Sequence, residues 1–158
     1  MDVAVSLTSA IFELYEVNNK LSIAKQLGIE VDCEVIIPQS TNMNDFDLCI
    51  VFANAIDNAI KASKSGQEIE VFAEETNGIL TIAVKDHGIG IPKEEINKIM
   101  QPFYMIDKSR TRKAGGAGLG LALCSEIARL HGARLQIESE PRKGTCVSII
   151  FDKKGETE

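Results

Sequence analysis

The sequence predicts an α+β domain in which a mixed sheet carries about three helices on one face. Three observations lead there. Apolar residues recur at helical spacing in three segments. Apolar and polar residues alternate from Ile29 to Ile37, as in a strand with one buried face. Two tight turns, Asn77-Gly78 and Pro141–Gly144, join neighbouring strands as hairpins and argue against a doubly wound parallel sheet. The other face of the sheet is expected to be largely solvated.

The elements follow in order. Asp2 to Ser6 reads as a short strand. A helix follows with Leu7, Ile11, Leu14, Tyr15, Leu21 and Ala24 near one face; Ser6 or Thr8 can cap it and Gly28 ends it. In the next strand Ile29, Val31, Cys33, Val35 and Ile37 alternate with Glu30, Asp32 and Glu34, until Pro38 stops it. Gln39 to Asn44 is a loop, with Asn44 or Asp45 as the next cap. A long helix spans about Phe46 to Ser63, its apolar face made by Cys49, Phe52, Ala53, Ile56, Ala59 and Ile60. Strands at Glu68–Glu74 and Ile79–Asp86 form the first hairpin. Pro92 starts a short helix through Met100. Residues 101–117 read as a loop long enough to be a functional lid. A helix begins near Gly118, aligns Leu119, Leu123, Ile127 and Leu130, and stops at Gly132. Strands at Ala133–Ser139 and Thr145–Asp152 close the chain, and Gly155–Glu158 is a frayed tail. Residues 1–154 read as one domain.

Composition narrows the function. The 158 residues are 44% apolar and 25% charged, enough for an ordinary globular core. With 23 acidic against 17 basic side chains the net charge is −6, so general affinity for nucleic acid or anionic membrane is not expected. Cys33, Cys49, Cys124 and Cys146 lie far apart in apolar segments with no CxxC pair, as small buried hydrophobes in a reducing compartment do. No apolar run approaches the ~20 residues of a membrane span, and Met1-Asp2-Val3 does not begin a signal peptide.

Three segments carry chemistry. In the long helix Asn54, Asn58 and Lys61 fall within about 60° of one another, a polar stripe between apolar positions. Asn is a poor helix former, so two of them one turn apart are costly without a task. An amide oxygen can coordinate Mg²⁺, and Lys supplies a charge for phosphate. Next, Asp86-His87-Gly88-Ile89-Gly90-Ile91-Pro92 follows a strand; there Asp can present a carboxylate, and the glycines let backbone approach a ligand. Last, Lys108, Arg110, Arg112 and Lys113 precede Gly115, Gly116, Gly118 and Gly120 at a helix start, which is an anion site. It is not a P-loop, because Leu121 stands where Lys is required. It is not a dinucleotide fingerprint either, because a basic loop rather than a strand precedes it.

Together and in order, these segments resemble the ATP-binding domain of sensor histidine kinases, within the family shared with DNA gyrase, Hsp90 and MutL. Asn54-Ala-Ile-Asp-Asn58-Ala-Ile-Lys61 resembles the N box and Asp86-x-Gly88-x-Gly90 the G1 box. Pro102-Phe103-Tyr104 resembles the F box, and Gly116-x-Gly118-Leu119-Gly120-Leu121 the G2 box. His131-Gly132 and Gly144-Thr145 also match. The region with Lys20, Ala24, Gly28 and Ile29 is similar to the peptide-sensing subgroup. Departures at Met100, Gln101 and Met105 fall at the base of the lid.

The resemblance implies a two-layer α/β sandwich of Bergerat type. Its mostly antiparallel sheet has five or six strands, covered on one face by three main helices, with ATP between helices and a mobile lid. It implies that Asn58, with Asn54, binds Mg²⁺ and that Lys61 faces phosphate. Asp86 then accepts the adenine amino group with support from Thr145, beside Gly88 and Gly90, and Ile91 and Leu121 line the adenine pocket. Tyr104, Lys108 and Arg110 belong to the lid, and the backbone from Gly116 through Gly118, Leu119 and Gly120 wraps the phosphates. Gyrase-like ATPases and anti-sigma-factor serine kinases usually carry Glu where Asn54 stands; an amide cannot take a proton from the attacking group. The chain is therefore expected to present ATP to a nucleophile elsewhere. Neither His87 nor His131 lies in an acceptor-like helix, so the phosphoacceptor is expected on a separate dimerisation domain, and the chain reads as part of a larger cytoplasmic sensor portion with a response regulator downstream. An anti-sigma-factor-type serine kinase is the alternative enzyme. A nucleotide-gated regulatory module that transfers nothing is the alternative from another class.

Overall fold

The computed structural model describes residues 15–34, 44–106 and 118–151. Helix α1 (Tyr15–Gln26) buries Val17 and Ala24, seven residues apart and so on one face. It ends in a left-handed turn at Gly28 (φ 71°), where the Gly28 N–H donates to Lys25 O and the Ile29 N–H to Ala24 O. Strand β1 (Glu30–Glu34) follows. Helix α2 (Asp45–Ala62) is capped by Asn44, whose side chain accepts the Asp47 N–H at 2.8 Å. Strands β2 (Glu68–Thr76) and β3 (Ile79–Asp86) are joined by Asn77 (φ 54°) and Gly78 (φ 77°), the two left-handed residues a type I′ hairpin requires. Helix α3 (Gly120–Leu130) leads into strands β4 (Ala133–Glu140) and β5 (Gly144–Phe151).

The sheet order is β1-β2-β3-β5-β4, with β1 parallel to β2 and every other pair antiparallel. The three helices cover one face, the expected two-layer arrangement. Alternation decides which side chains meet them. Ile69 and Val71 of β2, Leu80, Ile82 and Val84 of β3 and Ile149 of β5 join Leu48, Phe52, Ile56, Ala59, Cys124, Ile127 and Ala128 in the main core. A smaller cluster of Ile99, Ile137 and Val147 lies under Ile91, Met100 and Leu121. On the opposite face Glu68, Glu74, Lys85, Arg134 and Glu138 are exposed, while Ala83 and Ile150 are buried. The four cysteines form no disulfide; Cys49 and Cys124 are buried, and burial pushes the Cys124 thiol up to about 12.

Strand β2 runs two residues past the expected Glu74, and two further differences from the sequence expectation have a clear cause. Pro92 opens only a 3₁₀ turn (Lys93–Glu95) followed by further turns, not a helix through Met100. Its bonds are mainly between residues three apart, and Ile99 turns into the smaller core cluster. Helix α3 begins at Gly120 rather than Gly118, because Gly118 holds φ 74°, outside the right-handed helical region. The expected Asp2–Ser6 strand, the chain from Val35 to Pro38, most of the 101–117 loop and the terminal tail lie outside the described residues. No described helix is long and apolar enough to cross a membrane.

The turn after β3 is seated by contact, not only by its own conformation. A Cβ on Gly88 would stand 2.2 Å from Ala62 O, the carbonyl that accepts the Ile89 N–H at 3.2 Å. Gly88→Ala is therefore expected to lower the unfolding free energy by about 2 kcal/mol in urea titrations. Gly132→Ala, which meets nothing within 4 Å but sits at φ 69°, is expected to cost about 1 kcal/mol.

Candidate functional site

A cleft of about 830 Å³ opens between α2, the turn after β3, the β4–β5 hairpin and the start of α3. Each wall has a local cause. Asp86 has the same parity as Leu80, Ile82 and Val84, so the sheet's alternation aims its carboxylate toward the helices. It is 5% exposed. The β3–β5 ladder ends at the Lys85–Cys146 pair, and the next N–H on β5, from Thr145, donates to Asp86 Oδ1 at 3.2 Å. The Gly88 N–H donates to the same oxygen at 2.9 Å. Burial pushes this carboxyl above the usual carboxylate range, while the two amide bonds and the nearby His87 pull it back. Oδ2 takes no hydrogen bond among the described residues.

Beyond Asp86 the chain is pressed against the β4–β5 hairpin. Gly90 (φ 68°) has Glu140 O 2.1 Å from where a Cβ would be, and the Arg142 N–H donates to Ile89 O at 2.7 Å. This turn delivers Ile91 to the cleft, where it meets Ile99, Leu121, Ile137 and Val147 as an apolar wall beside the carboxylate.

Helix α2 forms the polar wall. Asn54, Asp57, Asn58 and Lys61 line the cleft on successive turns. The Asn54 amide nitrogen donates to Ile50 O at 2.9 Å, which fixes the amide and leaves Oδ1 turned to the start of α3. A Cβ at Gly120 would lie 3.0 Å from that oxygen, so glycine there is what lets the first turn of α3 come close. Asp57 sits between two cations: Lys20 of α1 reaches it at 2.9 Å and Lys61 at 2.7 Å. Burial raises the Asp57 carboxyl, but the bonds and charge of both lysines outweigh it and hold the group below the ordinary range.

The N-terminus of α3 closes the third side. Leu119 gives it no side-chain cap, so its first N–H groups face the cleft with the positive end of the helix dipole. The Phe103 N–H donates to Gly118 O at 3.0 Å, and the Tyr104 hydroxyl bonds the Glu95 carboxylate, tying the residues before the loop to this corner.

Of the sequence-predicted residues, Asn54, Asn58, Lys61, Asp86, Gly90, Ile91, Tyr104, Gly118, Leu119, Gly120, Leu121 and Thr145 all line this one cleft. Gly88 does not; it packs beneath, against Ala62. Lys108, Arg110 and Gly116 lie outside the described residues. Thr145 meets Asp86 through its backbone amide, while its hydroxyl is 2.8 Å from Ser139 Oγ. His87 contacts Glu70 at 3.2 Å and His131 contacts Asp47 at 2.6 Å. Sequence reasoning passed over Asp57, although its i, i+4 spacing to Lys61 was visible. It also passed over Arg142, which only the hairpin brings to the cleft, and Ser139, which the hairpin places beside Thr145.

The family described as Histidine kinase-, DNA gyrase B-, and HSP90-like ATPase matches residues 43–155. The sensor histidine kinase WalK of Bacillus subtilis is 42% identical over 110 residues, covering 68% of this chain and 18% of that protein. The sensor protein kinase WalK of Staphylococcus aureus is 41% identical over 120 residues, covering 73% of this chain and 29% of that protein. The chain thus spans under a third of the length of these curated relatives. The fold matches a nucleotide-free catalytic domain of histidine kinase ThkA with a TM-score of 0.72 at 21% identity, covering 97% of this chain and 93% of that one.

The Asp57 pairing has a pH signature. A carboxyl held low in the folded state adds stability above the ordinary aspartate range, and that stability is lost as pH falls through the lowered value. Asp57→Asn is expected to cost about 1 kcal/mol at neutral pH. The gap to the parent closes as pH falls below the ordinary aspartate range, in urea unfolding measured across pH.

Proposed function

The chain belongs to the histidine kinase-, DNA gyrase B- and HSP90-like ATPase family, and from that premise we propose that it is the ATP-binding catalytic domain of a sensor histidine kinase. The observation that supports this best is the buried Asp86, with one oxygen bonded and the other open, beside an apolar slot and opposite a helix N-terminus. Adenine fits the slot between Ile91 and Leu121 with its amino group donating to Asp86. The phosphates then extend toward the uncapped start of α3, where free N–H groups and the dipole neutralise charge.

The donor set suits Mg²⁺. No group of three or more His, Cys, Asp or Glu among the described residues could hold a metal. Instead Asn54 Oδ1 and Asn58 offer neutral oxygens on one helix face, and a Mg²⁺ site commonly uses few protein ligands alongside phosphate oxygens and water. Bound there, the ion would neutralise the charge on the phosphates. Lys61, oriented by Asp57, adds positive charge to the same wall. Lys108, Arg110 and Gly116 complete the lid in this reading.

This wall offers no free base to a nucleophile, because Asn54 is an amide fixed to Ile50 O and the Asp57 carboxylate is paired with Lys20 and Lys61. The domain therefore positions ATP and leaves the attacking group to another partner. That partner is a histidine on a separate dimerisation domain, with a response regulator receiving the phosphoryl group afterwards. The chain would serve as the cytoplasmic part of a membrane-bound sensor.

Calorimetry with Mg-ADP tests the site. The parent is expected to bind, and Asp86→Asn to weaken binding by about a hundredfold, since an amide presents N–H to the adenine amine. Binding should fade as pH falls through the raised Asp86 value, because the protonated acid loses its acceptor charge. A folded sample that binds no adenine nucleotide overturns the reading. A second assay supplies a histidine-bearing dimerisation domain with labelled ATP. Acid-labile phosphohistidine is expected, with only slow hydrolysis by the chain alone; brisk steady-state ATPase activity would contradict it.

A further inference from the structure

Ser139 lies one rung from the β4–β5 turn, directly across from Thr145. Its hydroxyl oxygen has three neighbours. The Ile91 N–H donates to it at 2.8 Å, Gly144 O lies at 2.9 Å, and Thr145 Oγ1 lies at 2.8 Å. A serine hydroxyl has one proton and two lone pairs. The amide of Ile91 takes one lone pair. The Gly144 carbonyl can only accept, so the Ser139 proton goes there. The remaining contact is satisfied only if Thr145 donates its own proton to Ser139.

This fixes more than one turn. Thr145 lines the cleft beside Asp86, and with its proton committed to Ser139 its oxygen offers only lone pairs to a ligand. Asp86 Oδ2 likewise offers only lone pairs. Among the described residues, the base end of the cleft is thus lined by two acceptors and no side-chain hydroxyl donor. At the 6-position an exocyclic amine suits that edge, whereas a purine that lacks the amine offers it no donor there.

We propose that Ser139 is a positioning residue that turns the Thr145 hydroxyl proton away from the cleft and so strengthens the site's preference for a purine with a 6-amine over one without it. The proposal rests on the reading that adenine sits at Asp86. Through Ile91 N–H, the same serine also holds the turn that carries the apolar wall.

The test compares Mg-ADP with the magnesium complex of purine riboside diphosphate, which lacks only the 6-amine, by calorimetry on the full chain. Ser139→Ala frees the Thr145 hydroxyl to rotate and donate into the cleft. The ratio of ADP affinity to that of the analogue without the amine is expected to fall by roughly tenfold, the scale of one redirected hydrogen bond. Ser139→Thr, which keeps the hydroxyl, is expected to restore the parent ratio. Equal weakening of both nucleotides by Ser139→Ala, or an unchanged ratio, overturns the role of Ser139 and leaves the adenine reading intact. If Ser139→Ala does not fold, Thr145→Val reads the same point: it removes the committed acceptor, and a ratio that does not fall overturns the proposal. A parent chain that binds neither nucleotide overturns the adenine reading and this proposal with it.

Discussion

Asp86 carries a carboxylate into a place that water barely reaches, and the surrounding chain is arranged to make that tolerable. Desolvation disfavours the charge. The Gly88 and Thr145 amides offset this from either side of one oxygen. Each requirement leads to another. The Thr145 amide is available because the β3–β5 ladder stops one residue earlier. Gly144 (φ 122°) allows the start of β5 to approach so closely that a Cβ would lie 2.0 Å from Asp86 O. Ser139 then absorbs the hydroxyl of Thr145, and the Ile91 amide with it.

The opposite wall is held by a different means. Helix α2 is rigid because its inner face, with Leu48 and Ile56 fully buried, is core. Its outer polar stripe therefore keeps a fixed spacing. The paired Asp57 draws α1 and Lys61 together, so the lysine at the cleft is oriented and not merely present. Glycine at position 120 lets the first turn of α3 meet Asn54 across the gap. Carboxylate, amides and helix dipole thus converge on one space while their elements are separated in sequence by a whole hairpin.

That convergence accounts for a division of labour. In the proposed reading the cleft supplies an acceptor for a base, apolar surface for its ring, and neutral oxygens and N–H groups for phosphate. It supplies no free general base on the α2 wall. A site so built would hold a phosphoryl donor without activating water, since the amide at position 54 cannot take its proton. Reaction then depends on bringing a nucleophile to it, which is the property a regulated donor needs.

Much of this was legible in the chain itself. Alternation, helical spacing, the Asn77-Gly78 turn and Gly28 are local signals, and local dihedral and periodic constraints act wherever the chain goes. The polar stripe of α2 and the glycines around Asp86 were also visible, because an unfavourable residue in a regular element marks a task. Helix α3 starts two residues later than its sequence pattern suggests, because Gly118 is left-handed where it packs against the Phe103 and Tyr104 backbone. The segment after Pro92 became turns because Ile99 was drawn into a core built by β4 and β5. Only tertiary structure decided that Thr145 serves Asp86 by its amide and Ser139 by its hydroxyl. Which atom of a residue meets a partner 59 positions away depends on where a strand ladder ends, and that is set by the register of three strands together.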